Sequence, residues 1–371
     1  MPSSKEDGTA TAAEQLGFMS LGTSAERKHN ATENDEDAEE NGDPAKFCSA
    51  CEKESETLKK CTACKCVWYC NKACQKRHRK EHKKECKRIK RILDDRGGVL
   101  NLGTETDIGP LGKVPPREEC PICMRVFPLH AELHAYFPCC GKTICCGCDF
   151  QHCVINEDHE GSEREQTPVH VCAFCRSSES SESDGEHLVQ LRKRVKLKDP
   201  DALSIMAVSY GYGHNGLPVD QAKCIVLLRE SADLGDPISH YQLGLFYHEG
   251  KMGLHQNEEE AIKYWEKAAE GGHVLARHNL GVIEGNTATG DHVAAIRHFQ
   301  LSASGGHRGS MGALIQRFED GFLQHQYLAE TLLAFYRSSA EMRSEDRDIF
   351  IKHLKRIGEY KEEYEYASSG D

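Results

Sequence analysis

The sequence predicts a multidomain chain in which two small zinc modules precede an all-α helical-repeat solenoid. Three observations carry this expectation. Eight soft metal ligands, Cys48, Cys51, Cys61, Cys64, Cys70, Cys74, His82 and Cys86, fall in one short stretch. A second series opens with Cys120-Pro121-Ile122-Cys123 and closes with Cys172-Ala173-Phe174-Cys175. From about Pro200 onward the chain repeats itself with a period suited to helix pairs.

In the first stretch, Cys-x2-Cys pairs bring two thiolates to about 2.3 Å from one tetrahedral ion, and two such pairs with four further ligands complete two closed sites. The intervening Val67-Trp68-Tyr69-Cys70-Asn71-Lys72-Ala73-Cys74-Gln75 and His82-Lys83-Lys84-Glu85-Cys86 resemble a MYND zinc finger, spanning residues 47–92. The resemblance implies interleaved ligands, with one ion on Cys48, Cys51, Cys70 and Cys74 and the other on Cys61, Cys64, His82 and Cys86. Members of that family that bind proline-rich peptides carry a Trp four residues after the Gln that follows the sixth cysteine. Here Gln75 is kept and Arg79 takes the Trp position, which predicts weak or absent binding of such peptides. Cys66 is left over as a packed thiol.

The second module follows a linker over 93–117 and occupies 118–178. Its ligand series continues through Pro138-Cys139-Cys140-Gly141-Lys142-Thr143-Ile144-Cys145-Cys146-Gly147-Cys148 and resembles a RING finger. Where that family usually has a histidine, this chain has Lys142, whose ammonium has no lone pair to give. The nearest match is an eight-cysteine RING. By the family's cross-brace its first ion takes Cys120, Cys123, Cys145 and Cys148, and its second Cys139, Cys140, Cys172 and Cys175. His152, Cys153 and His170 stand as substitutes in the second set, and Cys146 and Cys153 otherwise read as spare thiols. The resemblance also implies a surface for a ubiquitin-conjugating enzyme, with Ile122 at the apolar contact and Arg176 at the position that braces the conjugate. Ala173 stands where a Pro is usual, and Phe150 is the nearest aromatic to the position past the sixth ligand. With both modules the fold class becomes two cross-braced zinc modules, the RING-like one α+β, followed by the solenoid.

The polar run 156–166 reads as an exposed loop. Residues 179–199 read as a linker in which Ser181 and Ser183 precede acidic residues. Beyond it, Ser231-Ala232-Asp233-Leu234-Gly235-Asp236 returns as Ala268-Ala269-Glu270-Gly271-Gly272-His273 and again as Ser302-Ala303-Ser304-Gly305-Gly306-His307. The position of Leu228 returns as Trp265, Phe299 and Tyr336. These units resemble Sel-one-like repeats, relatives of the tetratricopeptide repeat, over 200–344, the last being degenerate. Gly244, Gly281 and Ala269 permit close helix approach, and Trp265 fills the space between units. Residues 345–371 read as a polar capping helix and tail.

Composition bounds the function. A length of 371 residues allows two or three domains, and all 19 cysteines except Cys224 lie between Cys48 and Cys175. With no apolar signal core after Met1 and no run near the roughly 18 residues a span requires, the sequence favours metal over disulfides, no membrane, and a cytoplasmic or nuclear location. A net charge of -12 argues against a general nucleic-acid binder. Residues 1–46 read as a disordered acidic tail. The basic run Lys76 to Arg91 reads as a solvated helix face, because no exposed aromatics interleave with it to stack bases.

Closed zinc sites leave no open position for chemistry, so no catalytic residue and no cofactor other than about four Zn2+ is expected. Two functions remain. The first is a RING-type ubiquitin ligase or ligase subunit that recruits a conjugating enzyme through the RING and protein partners through the repeats and the MYND module. The alternative is a non-enzymatic protein-interaction scaffold.

Overall fold

The computed structural model describes residues 47–99 apart from 52, 54 and 56, together with 117–158, 170–179, 184–286 and 291–364. The expected acidic tail, residues 100–116 of the 93–117 linker, most of the 156–166 loop, and Ser181 and Ser183 lie outside the described residues.

The first cysteine-rich segment builds a short antiparallel hairpin, β1 (Lys59–Lys60) and β2 (Trp68–Tyr69), in the register Lys59 to Tyr69. Helix α1 (Lys72–Asp95) follows, started by Asn71, whose side chain accepts from the Cys74 amide. The helix therefore runs past the expected module boundary. The second segment pairs β3 (His134–Phe137) with β4 (Lys142–Cys145), leads into α2 (Cys146–Asp158), and ends in the small pair β5 (His170–Val171) and β6 (Ser178–Glu179).

Helix α3 (Asp184–Lys196) occupies much of what the sequence suggests is linker. Leu188, Leu191 and Val195 recur at helical spacing, and Leu191 is fully buried in a core that includes Tyr136 of β3 and Leu203. Arg194 donates to the carbonyls of Pro138 at 3.1 Å and Cys139 at 3.2 Å, and Tyr136 Oη donates to Asp199 at 2.9 Å. This stretch is thus packed and hydrogen-bonded, and the polar 177–186 run hides the apolar stripe that follows it.

The repeats are helix pairs: α4 (Pro200–Tyr212) with α5 (Gln221–Asp233), α6 (Pro237–Glu249) with α7 (Glu258–Glu270), α8 (Val274–Asn286) with α9 (His292–Ser304), and α10 (Arg308–Glu319) with α11 (His325–Glu341). Their boundaries are chemically punctuated. Asp199 and Asp236 cap the first helices of units one and two ahead of a proline at the first helical position. Asp220, Asn257 and Asp291 cap the second helices of the first three units. The small residue that recurs near the end of each second helix has a defined task in units one and three. Ser231 Oγ donates to the Pro200 carbonyl and Ser302 Oγ to the Val274 carbonyl, each at 2.9 Å, tying the second helix to the start of the first.

The described residues fall into two compact units, both discontinuous in sequence. One contains residues 117–273 and 342–364, and so holds the second zinc module, α3 to α7 and a last helix, α12 (Glu345–Ile357). The other contains 47–99 and 274–341, and so holds the first finger with α8 to α11. Within the first unit, α12 packs against α2 of the second zinc module, with Phe150 and Phe350 ring centroids 5.6 Å apart. The helix expected to cap the repeats is therefore a neighbour of that module. Among the described residues no helix is long and apolar enough to cross a membrane.

Close helix approach inside the repeats depends on missing side chains. A Cβ on Gly244 would stand 2.4 Å from the Trp265 ring, and one on Gly281 would stand 2.9 Å from Phe299. Trp265 is only 1% exposed and donates from Nε1 to the Tyr241 carbonyl, so it has nowhere to move. Gly244→Ala should accordingly destabilise the first unit by about 1–3 kcal/mol through overpacking. A lower urea midpoint for the variant checks this, and an unchanged midpoint would show that the Trp265 pocket can yield to a methyl group.

Candidate metal centres

Four groups of ligand atoms converge among the described residues, the members of each lying within 4.8 Å of one another: Cys48, Cys51, Cys70 and Cys74; Cys61, Cys64, His82 and Cys86; Cys120, Cys123, Cys145 and Cys148; Cys139, Cys140, Cys172 and Cys175. Sulfur separations of 3.7 Å for Cys51–Cys70 and Cys61–Cys86, 3.9 Å for Cys123–Cys145 and 3.7 Å for Cys140–Cys172 exclude disulfides. They match the edge of a tetrahedron with sulfurs about 2.3 Å from its centre.

Local backbone explains the convergence. In three Cys-x2-Cys knuckles the residue after the second cysteine, Lys65, Met124 or Arg176, takes a positive φ of 60°, 53° or 60°. Its amide there donates to the carbonyl of the first cysteine, at 3.0, 2.9 and 3.2 Å respectively. This tight turn is a strained choice for a non-glycine residue and is held by the ligand pair it aligns. Further amides aim at sulfur: Cys70 N at Cys48 Sγ (3.5 Å), Cys145 N at Cys120 Sγ (3.4 Å) and Phe174 N at Cys172 Sγ (3.5 Å). Such donors favour thiolate over thiol. On α1, Cys74 in the first turn belongs to one group, while His82 and Cys86, four residues apart on one face, belong to the other, so one helix serves both groups of the first finger.

Electrostatics argues for a cation at each centre. Hydrogen bonds from Cys64 and Cys86 hold the Cys61 thiol far below its ordinary range, while contacts with Cys61 push Cys64 and Cys86 far above theirs. Around Cys120 the pattern recurs, with contacts to Cys145 and Cys148 lowering it and Cys145 pushed up to about 11. Thiols this close cannot all ionise against one another. A dication removes that repulsion and deprotonates the set. Three of the groups offer four cysteines and the fourth offers three cysteines and a histidine, which are the donor sets of structural zinc.

The adjacent pair Cys139 and Cys140 is accommodated by a turn in which the amides of Cys140 and Gly141 both donate to the Phe137 carbonyl. Cys139 reaches Cys175 at 3.4 Å, and Cys140 reaches Cys172. Of the substitutes, His152 places Nε2 2.8 Å from the Val171 carbonyl, and the His170 side chain lies outside the described residues. Lys142 is exposed. The spare thiol Cys66 is buried, its S–H donating to the Cys64 carbonyl at 3.3 Å.

Partners that the ligand spacing did not reveal come from the fourth repeat. Tyr336 of α11 sits with Oη 3.2 Å from His82 Nδ1, leaving Nε2 to face Cys64 Sγ at 3.2 Å. The same hydroxyl donates to Glu85 at 3.3 Å. His325 Nε2 donates to the Cys64 carbonyl at 2.8 Å, and burial holds its pKa below the usual histidine range. Orientation of a ligating imidazole through its second nitrogen is the ordinary role of such an outer shell. No local pattern could signal Tyr336, which lies 254 residues from His82. The basic run on α1 is divided: Arg88 donates to Gln316 Oε1 at 2.7 Å, while Lys76, Arg79, Lys80, Lys83 and Lys84 are exposed; beyond the run, Arg96 at the helix C-cap donates to the Glu319 carbonyl at 2.9 Å.

On the second module Ile122 is 45% exposed at the tip of the first knuckle, and Phe174, 37% exposed, occupies the equivalent place on the last. Arg176 is exposed beside it. Phe150 instead packs against Phe350 and His353.

Comparison with known proteins reaches the first finger and three of the repeats. The MYND finger family model matches residues 48–86, and the Sel1 repeat model matches 200–236, 237–273 and 274–307. No curated protein matches the chain. Among solved structures, a Sel1 repeat protein from Oxalobacter formigenes is similar at 25% identity and a TM-score of 0.33, over 35% of this chain and 97% of that one. The protein c5321, a protective antigen of uropathogenic Escherichia coli strains with an SLR fold, is similar at 22% identity and a TM-score of 0.36, over 49% of this chain and 39% of that one.

Metal analysis of the purified chain should give about four zinc ions, in line with the four ligand groups. Chelation or acidification, which protonates the thiolates, should unfold both zinc modules, since structural zinc contributes roughly 10–16 kcal/mol of apparent binding energy in modules too small to fold unaided. Two ions per chain would show that one module binds none. Tyr336→Phe should speed zinc release from the His82 centre about tenfold, read with a chromogenic chelator. Unchanged release would remove Tyr336 from the outer shell.

Proposed function

We propose that the chain is a zinc-stabilised protein-interaction protein whose second module recruits a ubiquitin-conjugating enzyme, with the sixteen residues of the four groups as zinc ligands. MYND fingers and Sel1 repeats are modules of protein–protein contact, and closed tetrahedral sites hold shape without reacting. The ligase reading is carried by one observation: an interleaved four-plus-four ligand arrangement that exposes Ile122 on its first knuckle. Phe174 and Arg176, exposed on the last knuckle, support it. A ligase of this kind works by positioning the conjugate for attack, so it needs no nucleophile of its own.

A scaffold without ligase activity is the second reading. It is favoured by Ala173 at the usual proline position and by Phe150, whose ring is engaged by Phe350 and His353 at 5.6 and 4.7 Å.

Discharge of ubiquitin from a panel of conjugating enzymes separates the two. Ile122→Ala should weaken recruitment by about 1–2 kcal/mol, the loss of a small apolar anchor at an interface. Arg176→Ala should leave binding near wild type and slow discharge, because its hydrogen bonds organise the conjugate. If the fully metallated protein discharges none of the panel, the scaffold reading stands.

A further inference from the structure

Arg347 lies on α12 and is 2% exposed. Arginine is rarely buried to that degree unless its charge is met. Its Nη1 donates to the carbonyls of Val126 and Met342, both at 2.6 Å. Its Nη2 donates to the Arg125 carbonyl at 3.3 Å and to Cys123 Sγ at 3.5 Å. Carbonyl oxygens take up the hydrogens but bring no net charge. Four thiolates around one Zn2+ carry a net charge of about -2, by simple addition of the ionised donors. That anionic cluster stands directly against the guanidinium. Asp346, whose Oδ2 lies 4.0 Å from Cys148 Sγ, adds to the same negative side.

The approach that makes this possible is specific. A Cβ on Gly147 would meet the Arg347 N and Cα at 2.7 Å, so α2 and α12 touch backbone to backbone there. The bond spans 224 residues of sequence from Arg347 to Cys123.

We infer that Arg347 is the outer-sphere cation of the Cys120, Cys123, Cys145 and Cys148 centre, which makes helix α12 a component of the second zinc module. The guanidinium offsets the negative charge of the metallated cluster and fixes the Cys120–Cys123 knuckle by gripping the carbonyls of Arg125 and Val126 just beyond it. Ile122 stands on that knuckle, so the C-terminal helix sets the surface offered to a partner. The inference rests on zinc occupancy of this cluster and is independent of the conjugating-enzyme reading.

The test uses the full chain and compares Arg347→Met, Arg347→Lys and Phe350→Ala. Zinc release to a chelator is measured together with iodoacetamide alkylation of Cys123, quantified by peptide mass spectrometry with Cys172 as internal reference. Arg347→Met should raise both release from this centre and Cys123 alkylation about tenfold. Arg347→Lys, which keeps the charge but not the two-armed grip on the Arg125 and Val126 carbonyls, should fall between wild type and the Met variant, and Phe350→Ala, which loosens the packing of α12 but leaves the charge, should fall well short of the Met variant. Should Arg347→Met fail to fold while Arg347→Lys folds and holds its zinc, the charge role is supported. Failure of both, an indifferent Arg347→Met, or equal effects in all three variants overturns it. An empty cluster in the wild-type protein overturns the zinc reading and this inference together, whereas loss of ubiquitin discharge alone touches neither.

Discussion

Four thiolates can share a volume a few ångströms across only around a cation, and the described residues of both cysteine-rich segments answer to that constraint. Knuckle turns with positive φ at Lys65, Met124 and Arg176, and amides aimed at sulfur, are arrangements with little value except as a cradle for metal thiolates. The strands beside them are two to four residues long and would not persist alone. Metal ligation therefore supplies in these modules what apolar burial supplies in the repeats.

The cradles do not stop at their ligands. Tyr336 orients His82 and His325 grips Cys64 in one unit, and Arg347 grips the knuckle of Cys123 in the other. In each case a zinc loop is backed by a helix from the distant C-terminal part of the chain. The modules are consequently better described as zinc centres set into helical surroundings than as beads on a string, and the packed, helical stretch 184–196 fits that description.

What depends on short spacing is legible in the sequence. The eight ligands of the first finger, the period of the repeats and the small residues Gly244 and Gly281 opposite Trp265 and Phe299 are local patterns, and the structure brings the corresponding atoms together. What escapes is nonlocal or masked by neighbours. Helix α3 reads as linker because its apolar stripe at Leu188, Leu191 and Val195 follows a serine-rich acidic run. The C-terminal helix reads as a cap because its polarity suits one, while its anchors, Arg347 and Phe350, find their partners far upstream in the second zinc module. The recurrent caps at Asp199 and Asp236 and at Asp220, Asn257 and Asp291 mark the repeat boundaries and are local enough to be read from sequence alone.

Both units are stitched from separated stretches, and this bears on how the protein comes into being on the ribosome. The finger at 47–99 emerges long before α8 to α11, and the module at 117–179 emerges long before α12. At about 5–20 residues per second, the 254 residues from His82 to Tyr336 take roughly 10–50 s to synthesise. Through that interval each zinc loop is on the nascent chain without its distant partner, Tyr336 for His82 and Arg347 for Cys123. The final helix is thus a late clasp, and a chain that ends before residue 345 leaves the Cys123 knuckle in its nascent condition for good.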